Sequence, residues 1–320
     1  MRKLIHTLAV LAGLALPLAA SAAPFPAQPV TIVVPFAPGG PSDNVARVLA
    51  RELSKRWGQS VIVDNRPGGQ TTIATSFVAR AKADGHTLLY ISPSWTTNPL
   101  LMDSLPYKPQ DLTPVTLVGR YPLALLTRGG SGPRSLAEFI EQARASSQPV
   151  ALGNAGIGSS SHLAALEFAD AVGIKIISVP YKAGTIGAIN DLIGGQISGV
   201  FEGRNFKPFV DDGRLRALLI GSAARMENWQ DVPSATDVGY PDLELSSYFG
   251  IMVGARTPPE VRDQLARDIG EILRKPEVRA HILDLGLTPE PQTPQAFGDF
   301  LQAQHDRMQA LIGRHKGGMQ

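Results

Sequence analysis

The 320-residue sequence has no cysteine, which excludes disulfides and thiolate metal sites and leaves stability to core burial alone. It has almost no surplus of charge. Its 30 Lys and Arg face 28 Asp and Glu, and the excess of two resides in Arg2 and Lys3 at the extreme N-terminus. A nucleic-acid binder needs a basic face, and no basic block is present. Histidines 86, 281, 305 and 315 are scattered without metal-ligand spacing, so no metal and no other cofactor is expected. No Gly-x-Ser-x-Gly elbow marks a serine nucleophile. Beyond the first twenty residues there is no long apolar run, so nothing further reads as a membrane span.

What is there begins with an export signal. Arg2 and Lys3 precede the apolar stretch Leu4–Leu18, and Ala20-Ser21-Ala22 supplies a small-x-small cleavage pattern. Residues 1–22 are therefore expected to be removed, giving a soluble mature chain in the periplasm. The competing reading is a retained anchor, but the run is short for a span of about 20 residues. No cysteine follows the cleavage pattern, so no lipid anchor forms there and no membrane attachment is expected after cleavage.

Short β-rich runs then alternate with amphipathic helical patterns. The run Val30–Val34 reads as a central parallel strand. It is followed by a helix with apolar Val45, Val48, Leu49, Leu53 and Trp57, closed by Gly58. Strands at 61–63 and 87–92 with a helix at 73–82 complete a β-α-β-α-β unit. A second unit follows, with strands at 150–152, 174–179, 197–201 and 215–220 and helices at 161–172 and 185–193. The C-terminus is helical over 259–275, 277–285 and 294–313, punctuated by Pro258-Pro259 and Pro276. The fold expected is α/β, with two open sheets forming two lobes around a cleft. The chain crosses near Leu123–Thr127 and Leu245–Val253, so one lobe holds 23–124 plus 250–320 and the other 125–249.

Two strand-to-helix loops carry the candidate chemistry. In Pro35–Asp43, Gly39 and Gly40 allow a tight turn, and Ser42 stands at the helix start. Gly153–His162 repeats the arrangement with Gly156, Gly158, Ser159, Ser160 and Ser161. A helix N-terminus presents unpaired N–H groups and a partial positive charge, which suits a carboxylate. A plain turn would look the same for either loop alone. One such loop from each lobe facing a shared cleft is the stronger signal. The order Gly-x-x-Gly-x-Gly is not a dinucleotide fingerprint, and no phosphate-loop lysine is present. Asp43 reads as a helix cap or, less readily, a grip on a ligand's amino or hydroxyl group. His162 reads as a histidine that fixes its loop by hydrogen bonding, since adjacent serines without an elbow do not make a triad.

The ordered series Val34-Pro35-Phe36 to Asp43, Ala46-Arg47, Asn65-Arg66-Pro67-Gly68, Asp84-Gly85-x-Thr87-Leu88 and Tyr107-x-Pro109 to Val115 resembles the Bug-type receptors. These are the substrate-binding components of tripartite tricarboxylate transporters. The likeness continues through Gly156-x-Gly158-Ser159, His162-Leu163-Ala164, Val179-Pro180-Tyr181-Lys182, Gly194-Gly195-Gln196 and Gly213–Leu218. It ends at Asp231–Ser234, Gly239-Tyr240-Pro241 and Thr257-Pro258. The resemblance implies a periplasmic two-lobed Venus-flytrap protein of type II topology. Such a protein captures a small organic acid and delivers it to a membrane permease. It also implies that Phe36, Gly39, Gly40 and Ser42 in one lobe, and Gly156, Gly158, Ser159 and Ser160 in the other, hold a ligand carboxylate.

Ser94, Arg204 and Tyr248 complete the candidate contacts. Arg204 would pair with a second carboxylate, against the plainer reading of a surface or Glu-paired arginine. Tyr248 would form an aromatic wall with Trp95, against ordinary packing. The chain departs from the family at Gly69–Ala74, where a bulkier stretch replaces glycines, at Tyr181-Lys182-Ala183-Gly184, and at Phe201-Glu202-Gly203-Arg204. Two rival functions share the architecture: a ligand sensor signalling to a membrane kinase, and an enzyme. The enzyme reading is opposed by the lack of a nucleophile–base pattern.

Overall fold

The structure is a computed structural model that describes residues 25–181 and 184–315. The segment expected as an export signal and the Lys182-Ala183 pair of the tyrosine–lysine motif lie outside the described residues.

Strand β1 (Val30–Val34) is almost wholly buried because both faces of its sheet are covered, and its apolar run reflects that. It pairs in parallel with β2 (Val61–Asn65) and β3 (Thr87–Ile91). Between β1 and β2 runs α1 (Pro41–Trp57), with proline at its first turn and Gly58 closing it in the left-handed region at φ 64°. Its buried face is Val45, Ala46, Val48, Leu49 and Leu53. Its end is pinned by Arg56 and Trp57, which both donate to Asp268 at 2.7 Å. Helices α2 (Thr72–Arg80) and α3 (Ser94–Leu101) flank β3.

The sheet is completed by strands that run the other way. β10 (Ser246–Gly254) lies between β3 and β4 (Leu112–Pro122), antiparallel to both, and the short β11 (Thr288–Pro289) forms the edge. The stretch Leu245–Val253, expected as a crossing, is thus a central strand from Ser246 onward.

The second sheet has the order β7-β6-β8-β5-β9, with β5 Ala124–Arg128, β6 Val150–Asn154, β7 Ile176–Pro180, β8 Gly199–Glu202 and β9 Leu215–Ile220. Its helices are α4 (Leu136–Ala145), α5 (Ser160–Val172), α6 (Thr185–Gly194) and the short α7 (Lys207–Asp211). Helices α8 (Pro259–Arg274), α9 (Pro276–Asp284) and α10 (Pro294–His315) close the chain. The result is an α/β, two-lobed fold with a cleft between two open sheets. Among the described residues no helix is long and apolar enough to cross a membrane.

The chain passes between the sheets at Leu123, the single residue between β4 and β5, and returns before β10. Backbone hydrogen bonds tie the passing segments together: Leu123 N–H to Leu245 O at 2.9 Å, Gly221 N–H to Leu123 O at 2.8 Å, and Leu245 N–H to Gly221 O at 2.9 Å. A Cβ on Gly221 would stand 2.8 Å from the Leu245 backbone, so the close approach itself demands glycine.

Helix α10 packs on β4 and α3 of the first sheet and also reaches the second lobe. Its Met308, Leu311 and Ile312 bury against Leu163 and Leu166 of α5, and its Arg307 pairs with Glu167 at 2.8 Å.

Candidate functional site

A cleft of about 710 Å³ lies between the sheets. Phe36, Gly39, Gly40, Ser42 and Ser94 line it from the first lobe, and Gly158, Ser159 and Ser160 from the second. The cleft brings together eight of the eleven candidate contacts. The two loops face it as helix starts: Gly40 is the extended N-cap of α1, and Ser159 is the N-cap of α5, accepting from His162 N–H.

Three candidates do not line the cleft. Gly156, at φ 116°, is outside the lining and spends its N–H on Asn154 Oδ1 at 2.9 Å. Arg204 reaches away to bind main-chain carbonyls, Asn228 O at 3.2 Å and Asp284 O at 3.0 Å, so it ties segments together and faces no second carboxylate in the cleft. Tyr248 is buried, its hydroxyl 2.9 Å from Thr96 Oγ1, and lines a separate cavity of only about 30 Å³. Its supposed partner Trp95 stacks on Tyr107 at 5.9 Å between ring centres. No aromatic wall is built from Trp95 and Tyr248.

The geometry also changes which amides are on offer. Gly39 N–H already donates to Asp43 Oδ2 at 2.8 Å, and Gly158 N–H to His162 Nδ1 at 3.1 Å. These glycines shape the loops, at φ 86° and 78°, and their amides are spent internally. The amides left without an intrahelical partner are those of Ser42 and Asp43 in α1 and of Ser160 and Ser161 in α5. Each helix start adds a partial positive charge worth about 0.3–1 kcal/mol to an exposed anion, and more where water is excluded.

Asp43 organises the first loop. Besides Gly39 it accepts from Arg47 at 2.8 Å and from Asn65 at 2.9 Å, and Asn65 also donates to Phe36 O at 3.0 Å. Burial pushes its carboxyl up, but the Arg47, Gly39 and Asn65 hydrogen bonds outweigh that and hold it below the usual range. Its role is to lock the loop, so it does not grip a ligand amino group.

His162 organises the second loop, and burial, with His315 adding to it, pushes its pKa down. It stays neutral at pH 7 and accepts from Gly158 N–H. Ser159 and Ser161 pair with each other at 3.2 Å, and Ser160 donates across the cleft to Ser247 at 3.1 Å. The histidine ring therefore engages a main-chain amide in place of a serine hydroxyl.

Pro41, Ala155 and Ser161 of the same two loops also line the cleft, with Ser92 and Pro93 beside Ser94, and the rest of the lining was not anticipated as contacts. Tyr121 lies near the end of β4, Leu123 is the first crossing, and Ser247 and Phe249 belong to β10. Thr185, Ile186, Glu202, Asn205 and Phe206 come from the starts of α6 and α7 and the end of β8. Tyr121 donates to Asn205 across the lobe boundary. Glu202 sits in the Phe201–Arg204 departure, which is its local signal in the sequence.

Residues 45–316 match the model of the tripartite tricarboxylate transporter family receptor. The chain is 36% identical over 305 residues to Protein BugT of Bordetella pertussis, covering 94% of this chain and 93% of that protein. Among solved structures it is similar to Rpa4515 of R. palustris with adipate, at TM-score 0.80 and 30% identity, covering 90% of this chain and 97% of that one. It is also similar to MatC of Rhodopseudomonas palustris with bound malate, at TM-score 0.75 and 30% identity, covering 90% and 100%. The chain belongs to the tripartite tricarboxylate transporter receptor family, the Bug-type solute-binding proteins.

Proposed function

We propose that the protein is a periplasmic receptor that closes on one small organic acid and hands it to a tripartite tricarboxylate-type permease. The observation that carries the reading is the pair of helix N-termini, α1 and α5, aimed from separate sheets into one cleft. Adipate in Rpa4515 and malate in MatC, in structures covering nine-tenths of this chain, support a carboxylate as the ligand. The residues proposed to hold it are Phe36, Gly40, Ser42, Ser94, Ser159 and Ser160, with Gly39 and Gly158 setting the loops. The lobes divide as 23–124 with 250–320, and 125–249, except that residues 246–249, paired with β4, go with the first lobe.

Binding follows from desolvation. In an open cleft the free amides are hydrated. Closure removes that water, and each buried donor left unmatched costs about 1–3 kcal/mol. A carboxylate touching both helix starts supplies acceptors that only the closed form uses fully, so the ligand shifts the population toward closure.

A thermal-shift screen of mono-, di- and tricarboxylates tests this. A specific ligand at about 100 times its dissociation constant adds about 2.7 kcal/mol of stability. A flat melting temperature across the whole panel would remove the reading.

A further inference from the structure

Among the described residues lining the cleft, Glu202 is the one with a formal charge. It stands at the end of β8, partly open to the cleft. Thr185 Oγ1 donates to one carboxyl oxygen at 2.6 Å, and Gly203 N–H approaches the other at 3.4 Å.

No described Lys, Arg or His pairs with it. That sets it apart from the other secluded acids: Asp43 has Arg47, Glu52 has Lys55, Asp268 has Arg56 and Glu167 has Arg307. The rest of the corner is neutral, with Tyr121, Asn205, Phe206 and Ile186 around it. Tyr121 is the titratable group facing it, and burial together with the nearby Glu202 keeps that phenol protonated.

We propose that this corner is a cation subsite, and that the ligand is a carboxylic acid which also carries a protonated amine. This inference rests on the receptor reading above and narrows it. The ligand carboxylate takes the starts of α1 and α5, and its ammonium group takes Glu202. The charges then match on closure: the anion meets two helix dipoles, and the cation meets the one carboxylate among the described residues lining the cleft. A dicarboxylate would face Glu202 with a like charge and would need an extra proton there to fit.

Burial pushes the Glu202 carboxyl up to about 7. The two classes of ligand therefore exchange protons in opposite directions near neutral pH. An ammonium group stabilises the carboxylate, so a protonated Glu202 gives its proton to the buffer. A second ligand carboxylate stabilises the acid form, so a proton is taken up.

The experiment is titration calorimetry at pH 7 in buffers of different ionisation enthalpy. The ligands are amino carboxylates of three to six carbons, α- and ω-substituted, against matched mono- and dicarboxylates. At least one amino carboxylate is expected to bind roughly tenfold or more above its matched monocarboxylate, the effect of one charge-assisted contact. Proton release should accompany it. Glu202→Gln should lose both the preference and the release, and should bind dicarboxylates better than the parent does. The wild-type proton count decides the question even if the variant folds poorly.

Tight dicarboxylate binding with proton uptake, or amino carboxylates no better than monocarboxylates, overturns the cation subsite and leaves the receptor reading standing. Failure of every carboxylate overturns both.

Discussion

The two loops that open the cleft offer the same donors and are held by different chemistry. The loop before α1 is braced by charge: Asp43 gathers Gly39 N–H, Arg47 and Asn65 around one buried carboxylate. The loop before α5 is braced by neutral groups, with His162 holding Gly158 and serines holding one another. Two helix starts facing one cleft do not require identical support, and the supports differ in what breaks them.

The largest expected difference is steric. Gly158 lies at φ 78°, and a Cβ there would come 2.5 Å from Leu101 Cδ1. Gly40 has a negative φ of −76° and no atom nearer than 3.9 Å to an added Cβ. Gly158→Val combines backbone strain of about 1–2 kcal/mol with a displaced loop, and ligand affinity should fall about 100-fold in titration calorimetry. Gly40→Ala should change it by less than about threefold. Equal losses would erase the distinction between a shaping glycine and a tolerant one.

Asp43→Asn comes next. It keeps the shape but loses the charge that three donors share, and should cost about 1–3 kcal/mol in urea unfolding. Arg47 is half exposed, so its ion pair contributes the smaller part. The folded pKa of Asp43 is lowered, so its stabilisation is complete above the unfolded value near 4 and is lost as pH falls through the folded value.

The pH response of the second loop should be smaller and should come earlier. The folded pKa of His162 is lowered, so the unfolded chain takes up the proton first. Stability falls as pH drops below about 6.5, towards the folded value. Protonation at Nδ1 also removes the acceptor for Gly158 N–H, and affinity should weaken about three- to tenfold on acidification. In a Glu202→Gln background, which removes the other cleft titration, His162→Gln should flatten that dependence, whereas Asp43→Asn should leave it in place. A Glu202→Gln affinity that does not move on acidification would place the lock elsewhere.

The parallel half of each sheet could be read from the chain because its strands are apolar runs adjoining helices of clear period, as Val30–Val34 and α1 show. β4 and β10 were hidden for a physical reason. They pair with each other across more than a hundred residues, and Pro114 and Gly250 interrupt their local strand signal. The same limit governs the site. Glycine- and serine-rich turns between strand and helix announce themselves, so the two loops were legible. The direction taken by Arg204 depends on where Asn228 and Asp284 come to rest, and Tyr248 on Thr96 of α3. Glu202, Tyr121 and Ser247 meet only because distant strands are in register, and nothing local in the sequence records that.

Helix α10 gives the molecule a spine. Its flank holds the helix whose tip faces the cargo, and each Leu or Ile sealed in that seam contributes about 1.5–3 kcal/mol. Prising the seam apart costs far more than rocking about it. Displacement is therefore smallest at the back and grows toward the mouth. In the proposed closure, a modest twist at Leu123 and Gly221 would thereby be geared up into a wider swing at the mouth.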